Sequence, residues 1–229
     1  MTTTFEPISA RPERLAEIVF SEIREAIVSR RLAPGDHLTE SSVATQLRVS
    51  KTPVREALLK LEYIGLIESG DWRGLRVVQP SGSAIRSAYE VRTAVEAQAV
   101  RILAEREITA DLHKIRSAAD QCFRAAEADD REGFRNGDRR FHLAMADAVK
   151  NPLLTRLIYD AFDLTWTLRR RDVPDPDASL ECATQHLAIV DAILTGDADL
   201  AERALRSHLR KVQGLVVAAY YSQGHNDTP

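Results

Sequence analysis

Cysteine is scarce: Cys122 and Cys182 are the only two in 229 residues, with no CxxC pair. That excludes a disulfide framework and fits a reducing compartment. No apolar run approaches bilayer-spanning length, and the N-terminus Met-Thr-Thr-Thr-Phe-Glu-Pro lacks a basic region followed by an apolar core. The expectation is a cytoplasmic protein with no membrane partner. Internal repeats, low-complexity segments and phosphate-binding glycine loops are missing too. Positive charge is not in excess: the net charge is −3, and residues 1–80 carry 11 Lys and Arg against 11 Asp and Glu. Any nucleic-acid footprint must therefore be local, with few contacts per subunit. The remainder, 44% hydrophobic and 28% charged, suffices for one large domain or two smaller ones.

What is present begins with Ser50-Lys51-Thr52-Pro53-Val54-Arg55-Glu56-Ala57-Leu58. Thr52 is placed as an N-cap and Pro53 at the first helical position, where its missing N–H costs nothing. Val54, Ala57, Leu58, Leu61 and Ile64 recur at helical spacing, and Gly65 supplies a left-handed stop. Lys51, Thr52, Arg55 and Lys60 are left outside. A helix with hydroxyls and cations crowded at its N-terminal end suits a DNA major groove, where amides meet phosphates and Lys or Arg reaches base edges. Thr39 to Leu47 reads as a preceding short helix and Arg48-Val49-Ser50 as the turn of a helix-turn-helix. Leu66-Ile67-Glu68 and Leu75-Arg76-Val77-Val78 read as a two-stranded wing with Arg73 and Gly74 at its tip. Glu13 to Arg30, with Leu15, Ile18, Val19, Ile23, Ala26 and Ile27 on one face, is the supporting first helix.

The run Pro34-Gly35-Asp36 with Leu38 and Glu40, then Val49 to Leu58, then Leu61 with Gly65-Leu66-Ile67 and Arg73-Gly74, closely resembles the N-terminal domain of GntR-family bacterial transcription regulators. The resemblance covers the first third of the chain. It implies a winged helix-turn-helix whose DNA contacts come from Ser50, Lys51, Thr52, Arg55, Arg73 and Gly74. Where the family often has an Arg, this chain has Ser41, so one phosphate or base contact is expected to be missing.

Gln79-Pro80-Ser81-Gly82-Ser83 is the one clear linker, giving a DNA-binding domain over 1–80 and a second domain over 81–229. Helical periodicity then runs through about 83–106, 109–128, 131–149, 152–170, 177–195 and 198–220, with a disordered tail over 222–229. The expected fold is mainly α: three helices and a two-stranded wing, followed by an all-α six-helix bundle.

The bundle's inward stripes are not all apolar. One reads Phe134, Asp138, Phe141, His142, Met145 and Val149; a second reads Ala183, His186, Leu187, Val190, Ile193 and Leu194; a third reads Ala201, Leu205, His208, Val212 and Leu215. A lone histidine on such a face is usually a satisfied core residue. A carboxylate and three imidazoles on three helices are costly to bury separately, and convergence on one ion is the economical arrangement. Cys182, four residues before His186, is read as a buried apolar residue, with a ligand role as the sharper alternative. In 83–106 the stripe Ile85, Ala88, Arg92, Val95, Ala99 and Ile102 puts a guanidinium where an apolar residue belongs. Either Arg92 pairs with Glu96 one turn on, or it clamps the carboxylate of an effector. Arg169-Arg170-Arg171 reads as a solvated helix end. His37, His113 and His225 lie in no such setting.

Asp138-x-x-Phe141-His142, Asn151 opening the next helix, His186 and His208-Leu209 resemble the FCD-type ligand-binding domain of the FadR subfamily, over roughly 85–212. The resemblance implies a divalent ion on Asp138, His142, His186 and His208, and an effector contact from Arg92. Asn151 serves as effector contact or as N-cap before Pro152. One transition metal per chain, zinc or nickel, suits three imidazoles and a carboxylate. The function read from the chain is a homodimeric transcription regulator on pseudo-palindromic operator DNA, a repressor released by a small organic acid. Two alternatives stand beside it. One is a metal-dependent enzyme with a DNA-binding appendage, although no further inward Glu, His or Lys offers a general base. The other is a metal-stapled dimerisation module without effector.

Overall fold

A computed structural model describes residues 13–70, 74–79, 81–106, 109–173 and 179–224. The chain divides into two compact units, Met1–Gln79 and Pro80–Pro229.

The first unit contains α1 (Glu13–Val28), β1 (His37–Leu38), α2 (Glu40–Leu47), α3 (Lys51–Tyr63), β2 (Ile67–Ser69) and β3 (Leu75–Val77). Val19, Phe20, Ile23, Ala26 and Ile27 of α1 pack on the Val54, Ala57, Leu58 and Leu61 face of α3. Leu15 and Ile18 were expected inward and are exposed. Ile18 and Val19 stand about 100° apart on the helix, and Val19, Ile23 and Ala26 won the buried side. Thr39 caps α2, its hydroxyl accepting from Ser42 N. Arg48 ends α2 in the left-handed conformation at φ 53°, and the chain re-enters a helix three residues later, at Lys51. The cap of α3 is Ser50, in extended backbone, so Thr52 and Pro53 lie inside the first turn rather than at its threshold. Pro53 remains harmless there because first-turn amides have no intrahelical partner. Gly65 takes φ 77° just past α3, as its place in the sequence demanded.

The wing hairpin gains a third strand. The sheet order is β1-β3-β2, all antiparallel, with His37 opposite Arg76, Leu38 opposite Leu75 and Glu68 opposite Arg76. Two residues are too few for periodicity to announce β1. Gly70 N donates to Gly74 O at 2.9 Å and closes the hairpin. The tip, with Arg73, lies outside the described residues.

The second unit is built of α4 (Gly82–Ala104), α5 (Thr109–Glu127), α6 (Arg131–Ala148), α7 (Pro152–Asp172), α8 (Leu180–Leu194) and α9 (Ala198–Ser222). Ser81, Asp130, Asn151, Ser179 and Asp197 each accept a first-turn backbone N–H, which fixes the starts of α4, α6, α7, α8 and α9. The expected disordered tail begins inside α9, which runs to Ser222; residues 225–229 lie outside the described set, His225 among them. Helix α4 packs on α7 and α9, α5 on α6 and α8, and α8 on α9. Gly137 lets α5 and α6 close: a Cβ there would stand 2.7 Å from Cys122 Cα. Val100, Leu103, Ile115, Phe141, Ile158, Ile189, Leu205 and Leu209 fill the core, while Leu194 and Leu215, placed inward by their stripes, are exposed. Among the described residues no helix is long and apolar enough to cross a membrane.

Candidate metal centre and nucleic-acid interface

In the first unit, Ser50, Lys51, Thr52 and Arg55 are all exposed at the start of α3, and the opposite face of that helix is buried. Arg55 already has a partner. Its Nε donates to Glu40 Oε1 at 2.7 Å and its Nη2 to Glu40 Oε2 at 2.9 Å, a bidentate bridge from α3 to α2. The guanidinium holds the Glu40 carboxyl below its ordinary range. Lys60 bonds Glu17 and Arg76 bonds Glu68, so both are tied to neighbouring elements. Gly74 leads into β3.

In the second unit, α6, α8 and α9 bring Asp138, His142, His186 and His208 together in the interior. Asp138 Oδ1 lies 3.7 Å from His142 Nε2 and 3.4 Å from His186 Nε2. His186 Nε2 is 3.3 Å from His208 Nε2. The imidazoles therefore aim the same atom at one spot. Two are held there from behind. Glu96 Oε2 is 2.5 Å from His142 Nδ1, and Gln185 Oε1 is 3.0 Å from His208 Nδ1. Each acceptor keeps the proton on Nδ1 and leaves the Nε2 lone pair facing the cluster. Phe141 stacks on His186 with ring centroids 4.3 Å apart.

Burial drives the three imidazoles below their ordinary pKa, His186 to about 4, so they sit neutral. Burial pushes Asp138 the other way, but His142, His186, Arg92 and Arg169 more than offset it and its carboxyl lies low. His142 Nε2 and His186 Nδ1 are buried with no hydrogen-bond partner among the described residues. An orphaned lone pair on His142, beside a carboxylate and two further Nε2 atoms, is a donor set that fits a transition-metal ion. Cys182 lies on the same cluster in a grouping that leaves out His142: its Sγ and the ligand atoms of Asp138, His186 and His208 lie within 4.8 Å of one another. Burial and the neighbouring Asp138 raise this thiol to about 12.

Arg92 takes the first of the two roles weighed for it, the pairing with Glu96. Its Nε donates to Glu96 Oε1 at 2.6 Å, an i,i+4 pair with Arg92 5% and Glu96 1% exposed. Its Nη1 reaches Thr165 Oγ1 at 3.4 Å, its guanidinium lies 4.5 Å from the Phe162 ring centroid, and its Nη2 is buried with no partner among the described residues. Glu96, named from the sequence as the partner of Arg92, is thus an inward carboxylate beside the cluster, where no further inward Glu was expected. Burial raises its carboxyl against the pull of Arg92. Asn151 caps α7, its Oδ1 accepting from Leu154 N at 3.2 Å, with the side chain exposed. The run Arg169-Arg170-Arg171 is not a solvated end: Arg171 is fully buried in a bidentate bridge to Asp172, and Arg169 Nε is buried too. Only Arg170 is exposed. Three consecutive residues span most of a helical turn, so like side chains meet unlike surroundings.

Residues 15–77 match the family described as "Bacterial regulatory proteins, gntR family", and residues 87–211 match the FCD domain. The chain is 33% identical over 221 residues to the "Probable D-xylose utilization operon transcriptional repressor" of Paenarthrobacter nicotinovorans, covering 91% of this chain and 92% of that relative. Its fold is similar to that of the solved structure of E. coli McbR/YncC, with a TM-score of 0.71 at 21% identity over 92% of this chain and 99% of that one. It is also similar to the Zn2+-bound FCD domain of TM0439, with a TM-score of 0.50 at 24% identity over 62% of this chain and 97% of that domain.

Proposed function

The chain belongs to the GntR family of bacterial regulatory proteins and carries an FCD domain, and we propose that it works as a homodimeric repressor whose DNA grip is set by a small organic acid bound at a metal. The family consists of transcription regulators, not enzymes. The observation that carries the ligand-responsive half is the convergence of three imidazole Nε2 atoms and one carboxylate oxygen in the interior of the second unit.

Asp138, His142, His186 and His208 would hold one divalent transition metal per chain, with zinc or nickel favoured by the donor types. Bound there, the ion supplies a Lewis-acidic position for a carboxylate oxygen. Glu96 and Gln185 orient the imidazoles that hold it. Arg92, beside the cluster with one unused N–H group, meets the effector's carboxylate.

In the first unit, Ser50, Lys51, Thr52 and Arg55 enter the major groove, and Arg73 with Gly74 approaches the neighbouring backbone from the wing. Two heads related by two-fold symmetry read a pseudo-palindromic operator. Effector binding regulates only by favouring one disposition of the heads over another. Such a protein works in the cytoplasm.

Elemental analysis of the full chain, purified without added metal or chelator, tests the ligand set. About one first-row metal per chain is expected, lost in Asp138→Ala and His208→Ala. Unchanged metal content in both variants would break the assignment. Selection from random duplexes tests the head: the enriched sequence should be a pseudo-palindrome, and Arg55→Ala should fail to enrich it.

A further inference from the structure

Helix α7 carries Thr165 and, one turn on, Arg169, which places both on one face. Arg92 of α4 bonds Thr165, so its guanidinium lies against α7 one turn before Arg169. Both guanidiniums keep an unused donor in the interior: Arg92 Nη2 and Arg169 Nε are buried with no hydrogen-bond partner among the described residues. The charge of Arg169 is felt at Asp138, Cys182, His208 and Tyr89, and that of Arg92 at Asp138, Cys182, Tyr89 and all three cluster histidines. Arg92 is tied to the cluster through Glu96, which contacts His142, and Arg169 lies one turn past the Thr165 that Arg92 bonds.

Charge makes the demand explicit. With the imidazoles neutral, Arg92 is balanced by Glu96 and Arg169 by Asp138. A divalent ion on the cluster then adds two positive charges to a closed interior, where uncompensated charge is costly. A buried guanidinium N–H with no acceptor adds its own cost. A ligand whose single carboxylate is spent on the ion cancels half of the excess and leaves both arginine donors without an acceptor.

We propose that Arg92 and Arg169 form a clamp for the second carboxylate of a small dicarboxylate, whose first carboxylate meets the metal-ligand cluster. This deepens the reading given above and rests on its metal site. Arg169 is a specificity residue: it separates diacids from monoacids of equal length, because a methyl group in place of the distal carboxylate leaves both donors unmet. The variant Arg169→Gln keeps length and polarity near the helix but removes the charge.

Malonate, succinate and glutarate, each paired with the monoacid of the same chain length (propionate, butyrate, valerate), would be titrated against the zinc-loaded full chain. Binding is read by thermal shift and calorimetry, with zinc content measured in every sample. At least one diacid should bind about 10- to 100-fold more tightly than its monoacid partner, the range expected for a charged hydrogen-bonding partner. Arg169→Gln should erase that preference with zinc content unchanged. Equal binding of diacid and monoacid at every length, no binding by any diacid, or a preference that survives in Arg169→Gln would each overturn the clamp. The comparison of acids on the unaltered chain keeps the proposal testable even if the variant misfolds. A chain that takes up no zinc yet prefers a diacid, and loses that preference in Arg169→Gln, would remove the metal reading while leaving the clamp in place.

Discussion

The two units solve opposite problems. The head displays the groups proposed for DNA contact at the surface: Ser50, Lys51, Thr52 and Arg55 stand exposed at the start of α3, over a face made of Val54, Ala57, Leu58 and Leu61. The bundle hides the groups proposed to hold a metal where apolar side chains would pack as well, and two of its imidazoles are held by a named partner, Glu96 behind His142 and Gln185 behind His208. Exposed polar groups can be exchanged without disturbing a fold, whereas buried ones are entangled with it. Function and stability should therefore separate in the head and travel together in the bundle.

The largest effect should come from cutting the bundle's cluster. His186→Ala removes a donor that touches both Asp138 and His208 and opens space beneath Phe141. Metal uptake should be lost, and the melting temperature of the bundle, followed through Trp166 fluorescence, should fall by several degrees, as for other large-to-small core changes. Arg55→Ala should do the reverse, abolishing specific DNA binding with no change in melting. A head that melts earlier in Arg55→Ala, or a bundle that keeps its metal and melting point in His186→Ala, would erase the contrast.

Acid should discriminate the units next. The folded-state pKa of His186 is lowered to about 4, below the ordinary 6.5, so unfolding takes up a proton in between. Stability from this group is complete above about 6.5 and is lost as pH falls towards 4. The loss from His186 alone is on the order of 3 kcal/mol, and His142 and His208 shift in the same direction. Metal-free protein in chelator, unfolded by urea at pH 7, 5.5 and 4.5, should show the bundle weakening across that window. A flat midpoint for the bundle would mean that the imidazoles are not buried neutral.

Glu96 offers a smaller cut. Its carboxylate links Arg92 to His142, so Glu96→Gln should leave the bundle folded but slacken the ring that faces the cluster. Loss of such a supporting carboxylate weakens metal binding by about 10- to 100-fold. Competition with a chelator of known affinity measures it, and 15N shifts of His142 report whether the proton has left Nδ1. Unchanged affinity with an unchanged tautomer would reduce Glu96 to a partner of Arg92 alone.

The same division explains what was legible in the sequence. Helical periodicity found all six bundle helices, because Phe134, Asp138, Phe141 and His142 recur at the helical repeat whatever lies opposite. It also put Asp138, His142, His186 and His208 inward. It could not see Gln185 behind His208 or Arg169 beside the cluster, since a one-dimensional stripe does not tell which neighbouring helix a flanking residue meets. The triple arginine shows this most sharply: as a charge run it read as solvated, yet Arg171 is among the fully buried side chains and closes on Asp172. In the head the limit was length. Strand β1 is two residues long, and its pairing with β3 exists only once Arg76 is in place opposite His37.

The smallest expected effect tests the head at the one point where it resembles the bundle. Arg55, assigned to the groove, is held by both carboxylate oxygens of Glu40, but this bridge is exposed, with 64% of the Arg55 side chain open to solvent. Exposed ion pairs contribute little to stability and are screened by salt, so Glu40→Gln should leave the melting temperature of the head unaltered. DNA affinity is another matter. DNA phosphates and base edges compete with Glu40 for the same donors, and Glu40 adds a negative charge beside a polyanion. Glu40→Gln should tighten non-specific duplex binding modestly, with the gain fading as salt rises. If Glu40 instead aims Arg55 at its base, the variant will lose specific affinity while non-specific binding holds, and the bridge will belong with the bundle's orienting contacts rather than with the head's exchangeable surface.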